Sequence, residues 1–156
     1  MTYLEIGKSQ YYAFHELANA YYREGEDENT PQAEMDAFIC FLFEMVVHEK
    51  ISGCFVKEGS SIIGFALWAV DTAEFPFSQL PGFGTILEIG IIPSRRGSGL
   101  GKELVSHIEE YFRYRNVKHF YVSAYGPAQR FWSSCGYAEN GQKADNGLPI
   151  MVKAIQ

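Results

Sequence analysis

Residues 84–114 read GTILEIGIIPSRRGSGLGKELVSHIEEYFRY. The apolar run Thr85–Ile92 predicts a buried strand, and Pro93 stops it because proline brings no N–H to a ladder. A loop bearing Arg95, Arg96, Gly97, Gly99 and Gly101 follows. Leu100, Leu104, Val105, Ile108, Tyr111 and Phe112 then recur at helical spacing and form an inward stripe. A strand, a glycine loop and a helix in that order aim several unencumbered backbone N–H groups at one point beside a helix N-terminus. Such a point is a seat for phosphate groups.

Two phosphate motifs fail on this stretch. A GxxxxGK[ST] loop needs glycine at position 96 and a hydroxyl after Lys102, where Arg96 and Glu103 stand. A GxGxxG fingerprint needs glycine one position beyond Gly101, where Lys102 stands.

Working outward, Gln10–Tyr22 carries Phe14, Leu17, Ala18 and Tyr21 at helical spacing, with Ser9 as its candidate cap. The polar segment Arg23–Thr30 reads as a loop. A second helix is expected from Pro31 to about Glu49, capped by Thr30 and apolar nearly all round, hence buried or packed on a partner. Cys54–Lys57 and Ile62–Val70 read as a hairpin turning at Glu58–Ser61. Asp71–Phe83, with two prolines and three phenylalanines, reads as a loop. Phe120–Ala124 predicts a strand, Ala128–Cys135 a short helix closed by Gly136, and Ile150–Ala154 a last strand. The expected order is α, α, β, β, β, α, β, α, β, which is one α/β domain over residues 1–156 with a mixed sheet.

The 156 residues suffice for one hydrophobic core, and 47% apolar content with 15% aromatics excludes a disordered chain. A formal net charge of −6 argues against a general nucleic-acid binder. Cys40, Cys54 and Cys135 are odd in number and scattered, as suits free thiols in a reducing compartment. The segment MTYLEIGKSQYY lacks the pattern of a signal peptide. The apolar block Ala37–Val47 contains Glu44 and is far shorter than the ~20 residues that cross a bilayer. A cytoplasmic protein with no membrane partner is the expectation. His15, His48, His107 and His119 show no ligand spacing, so no metal is expected.

Arg96-Gly97-Ser98-Gly99-Leu100-Gly101 matches the R/Q-x-x-G-x-G/A signature, and here the chain resembles the GNAT superfamily of acetyl-CoA-dependent N-acetyltransferases. The segment VKEGSSIIGFALW is similar to that family's hairpin, and Tyr125–Tyr137 is similar to its N-x-x-A-x-x-F-Y-x-x-x-G-F segment. The resemblance covers roughly residues 50–140 and the two N-terminal helices. It implies an α+β fold with a mixed, mostly antiparallel central sheet, splayed between two strands and with helices on both faces. It also implies acetyl-CoA or coenzyme A as co-substrate. Arg96, Gly97, Ser98, Gly99, Leu100, Gly101 and Lys102 would hold its pyrophosphate. The backbone of Ile89 and Ile91 would pair with the pantetheine arm, and Phe131 would line the cofactor. Gly90 marks either a bulge or a close backbone approach.

Glu88 stands in an otherwise apolar strand, where burial raises a carboxylate toward useful basicity, and is the first candidate for the catalytic base. Direct binding of a cationic acceptor, action through a water, and a purely structural ion pair remain open for it. The family's acid is the tyrosine of the F-Y pair, but this chain has Trp132 there. Tyr125, at the usual asparagine position, is the substitute by residue type, with Ser133 and Cys135 behind it. The acceptor would enter between the N-terminal helices and the phenylalanine loop. Tyr21, Tyr22, Phe77 and Phe83, with Phe75, are then candidate substrate-binding aromatics, and Glu24, Glu26, Asp27 and Glu28 candidate attractors of a cation. The phenylalanine loop is equally a candidate homodimer contact. The reaction implied is acetyl transfer to a primary amine of a small molecule or peptide by direct attack. Another acyl-CoA, a hydroxyl acceptor, or a non-catalytic acyl-CoA sensor are the alternatives.

Overall fold

The computed structural model describes residues 1–25 and 27–155. Among them the chain order is β1 (Thr2–Glu5), α1 (Tyr11–Glu24), α2 (Gln32–Val47), β2 (Ser52–Glu58), β3 (Ser61–Val70), β4 (Gly84–Ile91), α3 (Leu100–Tyr114), β5 (His119–Ser123), α4 (Gln129–Ser134), β6 (Ala138–Lys143) and β7 (Pro149–Ala154). The strands form a mixed, mostly antiparallel sheet in the order β1-β2-β3-β4-β5-β7-β6. The expected α+β class and every expected element are present, with ends moved by a residue or two.

Two strands go beyond the expectation. β1 has four residues and pairs antiparallel with β2, Tyr3 opposite Val56. β6 reads AENGQK, with no apolar alternation to reveal it. It becomes a strand because β7 offers it a ladder, Ala138 opposite Val152 and Lys143 opposite Pro149. Neither expected helix cap forms. Lys8–Gln10 make a 3-10 turn, Gln10 is the cap residue of α1, and its side-chain oxygen accepts the Gly7 N–H at 2.6 Å. Pro31, not Thr30, caps α2, because Thr30 turns back onto Asp27.

The chain divides into two compact units. The first comprises residues 1–67 and 88–101. Its core packs Phe14 of α1, Ile39 and Phe43 of α2, Phe55 of β2 and Phe65 of β3. The Phe14 ring lies 5.9 Å from Phe43 and 5.8 Å from Phe65. Each such side chain contributes ~1.5–3 kcal/mol by leaving water. α2 is buried on one side, through Met35, Ile39, Leu42, Phe43, Met45 and Val46. Its other side leaves Phe38 37% and Phe41 43% exposed, so the helix is not buried all round.

The second unit comprises residues 68–87 and 102–156. α3 buries Leu104, Val105, Ile108 and Phe112, and β5 and β7 bury Phe120, Val122 and Met151, while Ile150 joins Tyr121 and Ala144 in a separate cluster. Phe112 and Phe120 rings stand 5.2 Å apart. Within this unit β4 and β5 run parallel, Gly84 opposite Phe120 and Thr85 opposite Tyr121. β5 and β7 run antiparallel. No helix among the described residues is long and apolar enough to cross a membrane.

Candidate functional site

In the first unit the chain leaves β4 at Ile91, and Ile92 donates its N–H to the Ile63 carbonyl at 2.9 Å. Pro93–Arg95 then form a 3-10 turn, which employs the N–H groups of Arg95 and Arg96. Gly97 (φ 81°) and Gly99 (φ 87°) both adopt the left-handed conformation that side chains resist. No atom lies within 4 Å of a Cβ added at either position, so an added side chain would project into open space. Among the described residues, none offers a backbone carbonyl to the N–H groups of Gly97, Ser98 or Gly99. α3 starts immediately afterwards at Leu100, where a helix leaves its first N–H groups unpaired. The result is a row of backbone donors with no backbone partner among the described residues, a kind of arrangement that suits anions.

The cations beside this loop are differently committed. Arg96 donates Nε to the Ile91 carbonyl at 2.7 Å and its two terminal nitrogens to the Glu24 carboxylate at 2.8 and 3.1 Å. Its guanidinium is thus engaged at the end of α1, and Arg96 reaches the loop through its backbone. Arg95 pairs with Glu58. Lys102 is exposed in the first turn of α3. Ser98 donates its hydroxyl to the Arg95 carbonyl at 3.2 Å.

Glu88 of β4 is half-buried, and its Oε1 accepts a hydrogen bond from the Tyr22 hydroxyl at 2.9 Å. Tyr22 is only 6% exposed. Burial first, then the Glu88 charge and hydrogen bond, push its hydroxyl well above the ordinary tyrosine range. Its ring is met by Tyr21 at 5.3 Å and Phe38 at 5.5 Å. Tyr22, a candidate substrate-binding aromatic by sequence, is buried with its hydroxyl on Glu88. Tyr21 is half-buried and packs on Phe65 at 5.5 Å.

Close approach is what Gly90 serves here. A Cβ there would stand 2.6 Å from the Phe65 ring, and one at Gly64 would stand 2.5 Å from the Gly90 carbonyl oxygen. The two glycines let β3 and β4 carry bulky neighbours beside Glu88. Ile89 is half-buried and Ile91 buried. Of the acidic candidates, Glu24 holds Arg96. Arg23 gathers the backbone carbonyls of Asp27 and Glu28 at 3.2 and 3.3 Å. Glu26 lies outside the described residues.

In the second unit Tyr125 is exposed and precedes the 3-10 turn Gly126–Ala128, its carbonyl accepting the Ala128 N–H at 2.8 Å. Phe131 on α4 is half-buried and packs edge-on against Trp132 at 5.1 Å. Trp132 is buried and packs against Tyr137 at 5.3 Å, so its bulk fills core space. Cys135 is half-buried, and burial raises its thiol. Ser133 is exposed on α4.

The phenylalanine loop is clasped by Asp71, which sequence reasoning passed over as a loop residue. Its Oδ2 accepts the N–H groups of Gln79 and Leu80, both at 2.9 Å, and the Tyr121 hydroxyl at 2.6 Å. Desolvation works against the charge of this buried carboxylate. Those donors, with the Ser78 hydroxyl, outweigh it and hold its pKa below the ordinary value. Phe83 packs with Tyr121 and His119, and Phe77 against Phe75. His15 faces Asp36 and His48 faces Glu44. No group of three or more His, Cys, Asp or Glu residues among the described residues is placed to hold a metal ion.

The family model for the acetyltransferase (GNAT) family matches residues 11–137. No curated protein matches the sequence. Among solved structures, the PaiA N-acetyltransferase from Thermoplasma acidophilum in complex with coenzyme A aligns at a TM-score of 0.76 and 13% identity, over 99% of this chain and 98% of that one. The ribosomal-protein-alanine N-acetyltransferase from Brucella melitensis aligns at 0.70 and 16% identity, over 99% and 100%. The yncA protein from Salmonella typhimurium with its cofactor acetyl-CoA aligns at 0.69 and 18% identity, over 100% and 94%.

Proposed function

The chain belongs to the GNAT acetyltransferase family, and on that premise we propose that it moves an acetyl group from acetyl-CoA to a primary amine of a small molecule or peptide, by direct attack in a ternary complex. The observation that carries this reading is the row of uncommitted N–H groups at Gly97–Gly99, presented at the start of α3. The diphosphate of coenzyme A is the anion this row suits. The two positive-φ glycines keep side chains out of its way. Lys102 adds an exposed positive charge to the first turn of α3. By the family resemblance, Ile89 and Ile91 in the first unit and Phe131 in the second are each assigned to the cofactor. Acetyl-CoA supplies an activated thioester; the protein's own task is to manage protons.

An amine with a lysine-like pKa of about 10.4 is almost wholly protonated at pH 7. Neutralising it costs about 3.4 pKa units, or roughly 4.6 kcal/mol. Glu88 takes up that proton, directly or through a water. Its half-buried position suits a group that must both feel a low dielectric and exchange protons with solvent. Tyr125 is assigned as donor to the departing thiolate because it is an exposed phenol, whereas Trp132 is packed into the core. Tyr21, Phe77 and Phe83 are assigned to the acceptor side, and the chain acts in the cytoplasm as one acetyltransferase domain.

Release of free thiol from acetyl-CoA across a panel of amines tests the proposal, and turnover of at least one primary amine is expected. The burial of Trp132 where the family has a tyrosine favours a second reading, a non-catalytic acyl-CoA sensor. Tight coenzyme A binding with no amine turned over would establish it. Gly99→Glu places a carboxylate beside that row of N–H groups and strains the backbone. Coenzyme A affinity by calorimetry should fall about 100-fold or more, from charge repulsion added to the ~1–2 kcal/mol backbone cost. Unchanged affinity would remove the loop assignment.

A further inference from the structure

Resting on the reading of Glu88 as the base, we infer that Tyr22 is the residue that positions it. The two are 66 residues apart in sequence, yet the Tyr22 hydroxyl donates to Glu88 Oε1 at 2.9 Å. A buried tyrosine hydroxyl finds a partner, and here the partner is the group assigned the proton. The ring has little freedom, being met edge-on by Tyr21 at 64° and by Phe38 at 63°. A fixed ring fixes the hydroxyl, and a fixed hydroxyl fixes the carboxylate plane.

A second tie holds the same helix end. Tyr22 lies in the last turn of α1, which ends at Glu24. Glu24 receives the Arg96 fork, and Arg96 in turn holds the carbonyl of Ile91, the last residue of β4. The end of α1 is therefore fastened to β4 directly at Glu88 and through Arg96 at Ile91. The second tie holds the end of α1 against the end of β4, and the first sets the direction of the Glu88 carboxylate. Tyr22 touches neither cofactor nor acceptor in this account. It acts by keeping the base aimed, and a misplacement of the order of 1 Å at such a group costs up to about 10²-fold in rate.

Tyr22 remains protonated, and so remains a donor, because burial and the adjacent carboxylate both disfavour its anion. The other titratable groups acting on it are Tyr21 and Asp27. A donor to the ionised carboxylate favours the ionised form. Its removal therefore moves the acid limb of activity to higher pH.

The experiment compares wild type with Tyr22→Phe, Glu88→Gln and the double variant, using acetyl-CoA and the best amine of the panel, over a range of pH. Tyr22→Phe should lower kcat about tenfold, leave KM for acetyl-CoA unchanged, and shift the acid limb upward. In the Glu88→Gln background it should cost nothing further. A carboxyl-carbon NMR titration of Glu88 in the free protein gives a readout independent of turnover, and its midpoint should rise in Tyr22→Phe. An unchanged titration, or an equal rate penalty in the Glu88→Gln background, overturns the positioning role while leaving the base in place. Full activity in Glu88→Gln alone overturns the base assignment instead.

Discussion

Each compact unit carries a tyrosine hydroxyl bonded to a carboxylate, and under the proposed function the two pairs are put to opposite uses. In the second unit Tyr137 donates to Glu109 at 2.8 Å, and Lys153 adds its ammonium at 2.9 and 3.1 Å. Lys153 also reaches the Cys135 carbonyl at 2.9 Å. Glu109 is 3% exposed and paired with the partly exposed Lys153, so this knot ties α3, α4 and β7 together around a buried carboxylate. In the first unit the Tyr22–Glu88 pair keeps its carboxylate half-buried. The same hydrogen bond, without complete sealing, leaves a carboxylate in contact with whatever enters beside β4. Access, rather than hydrogen bonding, is what distinguishes the buried Glu109 from the proposed base Glu88.

That contrast predicts that the two carboxylates fail differently. Glu88→Gln should lower kcat by about 10²–10⁴-fold, the usual worth of a positioned base, with little change in unfolding free energy. A variant that instead unfolded easily and stayed active would erase the distinction. Lys153→Met strands a buried charge in the other knot and should cost about 3–5 kcal/mol by urea denaturation, with activity per folded molecule retained. A stability change below about 1 kcal/mol would mean that Glu109 is not held as described.

A third carboxylate sharpens the comparison through pH. Asp71, 1% exposed, has a folded-state pKa below its ordinary value. A depressed carboxylate stabilises the fold above its unfolded pKa, and that contribution is lost as pH falls below about 3.8. Asp71→Asn should therefore flatten the acid limb of the stability curve, and should cost about 1–3 kcal/mol near neutrality for the bonds it weakens. An unaltered acid limb would show that the clasp does not titrate with folding. The smallest effect is expected at the exposed Glu24–Arg96 pair, where Glu24→Gln should change stability by no more than about 1 kcal/mol.

Much of this molecule is legible in one dimension because its signals are local. The inward stripe of α3, the glycine loop before it, the hairpin through Gly59 and the apolar run of β3 each declare themselves within a window of some fifteen residues. The left-handed turn at Gly97 and Gly99 was also readable, since such backbone positions favour glycine. β6 escaped notice because its strand character lies in its neighbour. The cap residues of α1 and α2 were misplaced because two adjacent turns compete for the same backbone groups.

By itself the sequence determined the order of the elements other than β1 and β6, the loop signature before α3 and the anomaly of a carboxylate inside an apolar strand. Only the tertiary structure decided what each polar group meets: Tyr22 with Glu88, Arg96 with Glu24, Asp71 with Tyr121, at separations of 66, 72 and 50 residues. The physical reason is range. Propensity and periodicity act between residues a few positions apart, whereas a buried charge is satisfied by whichever donor the packed core brings to it.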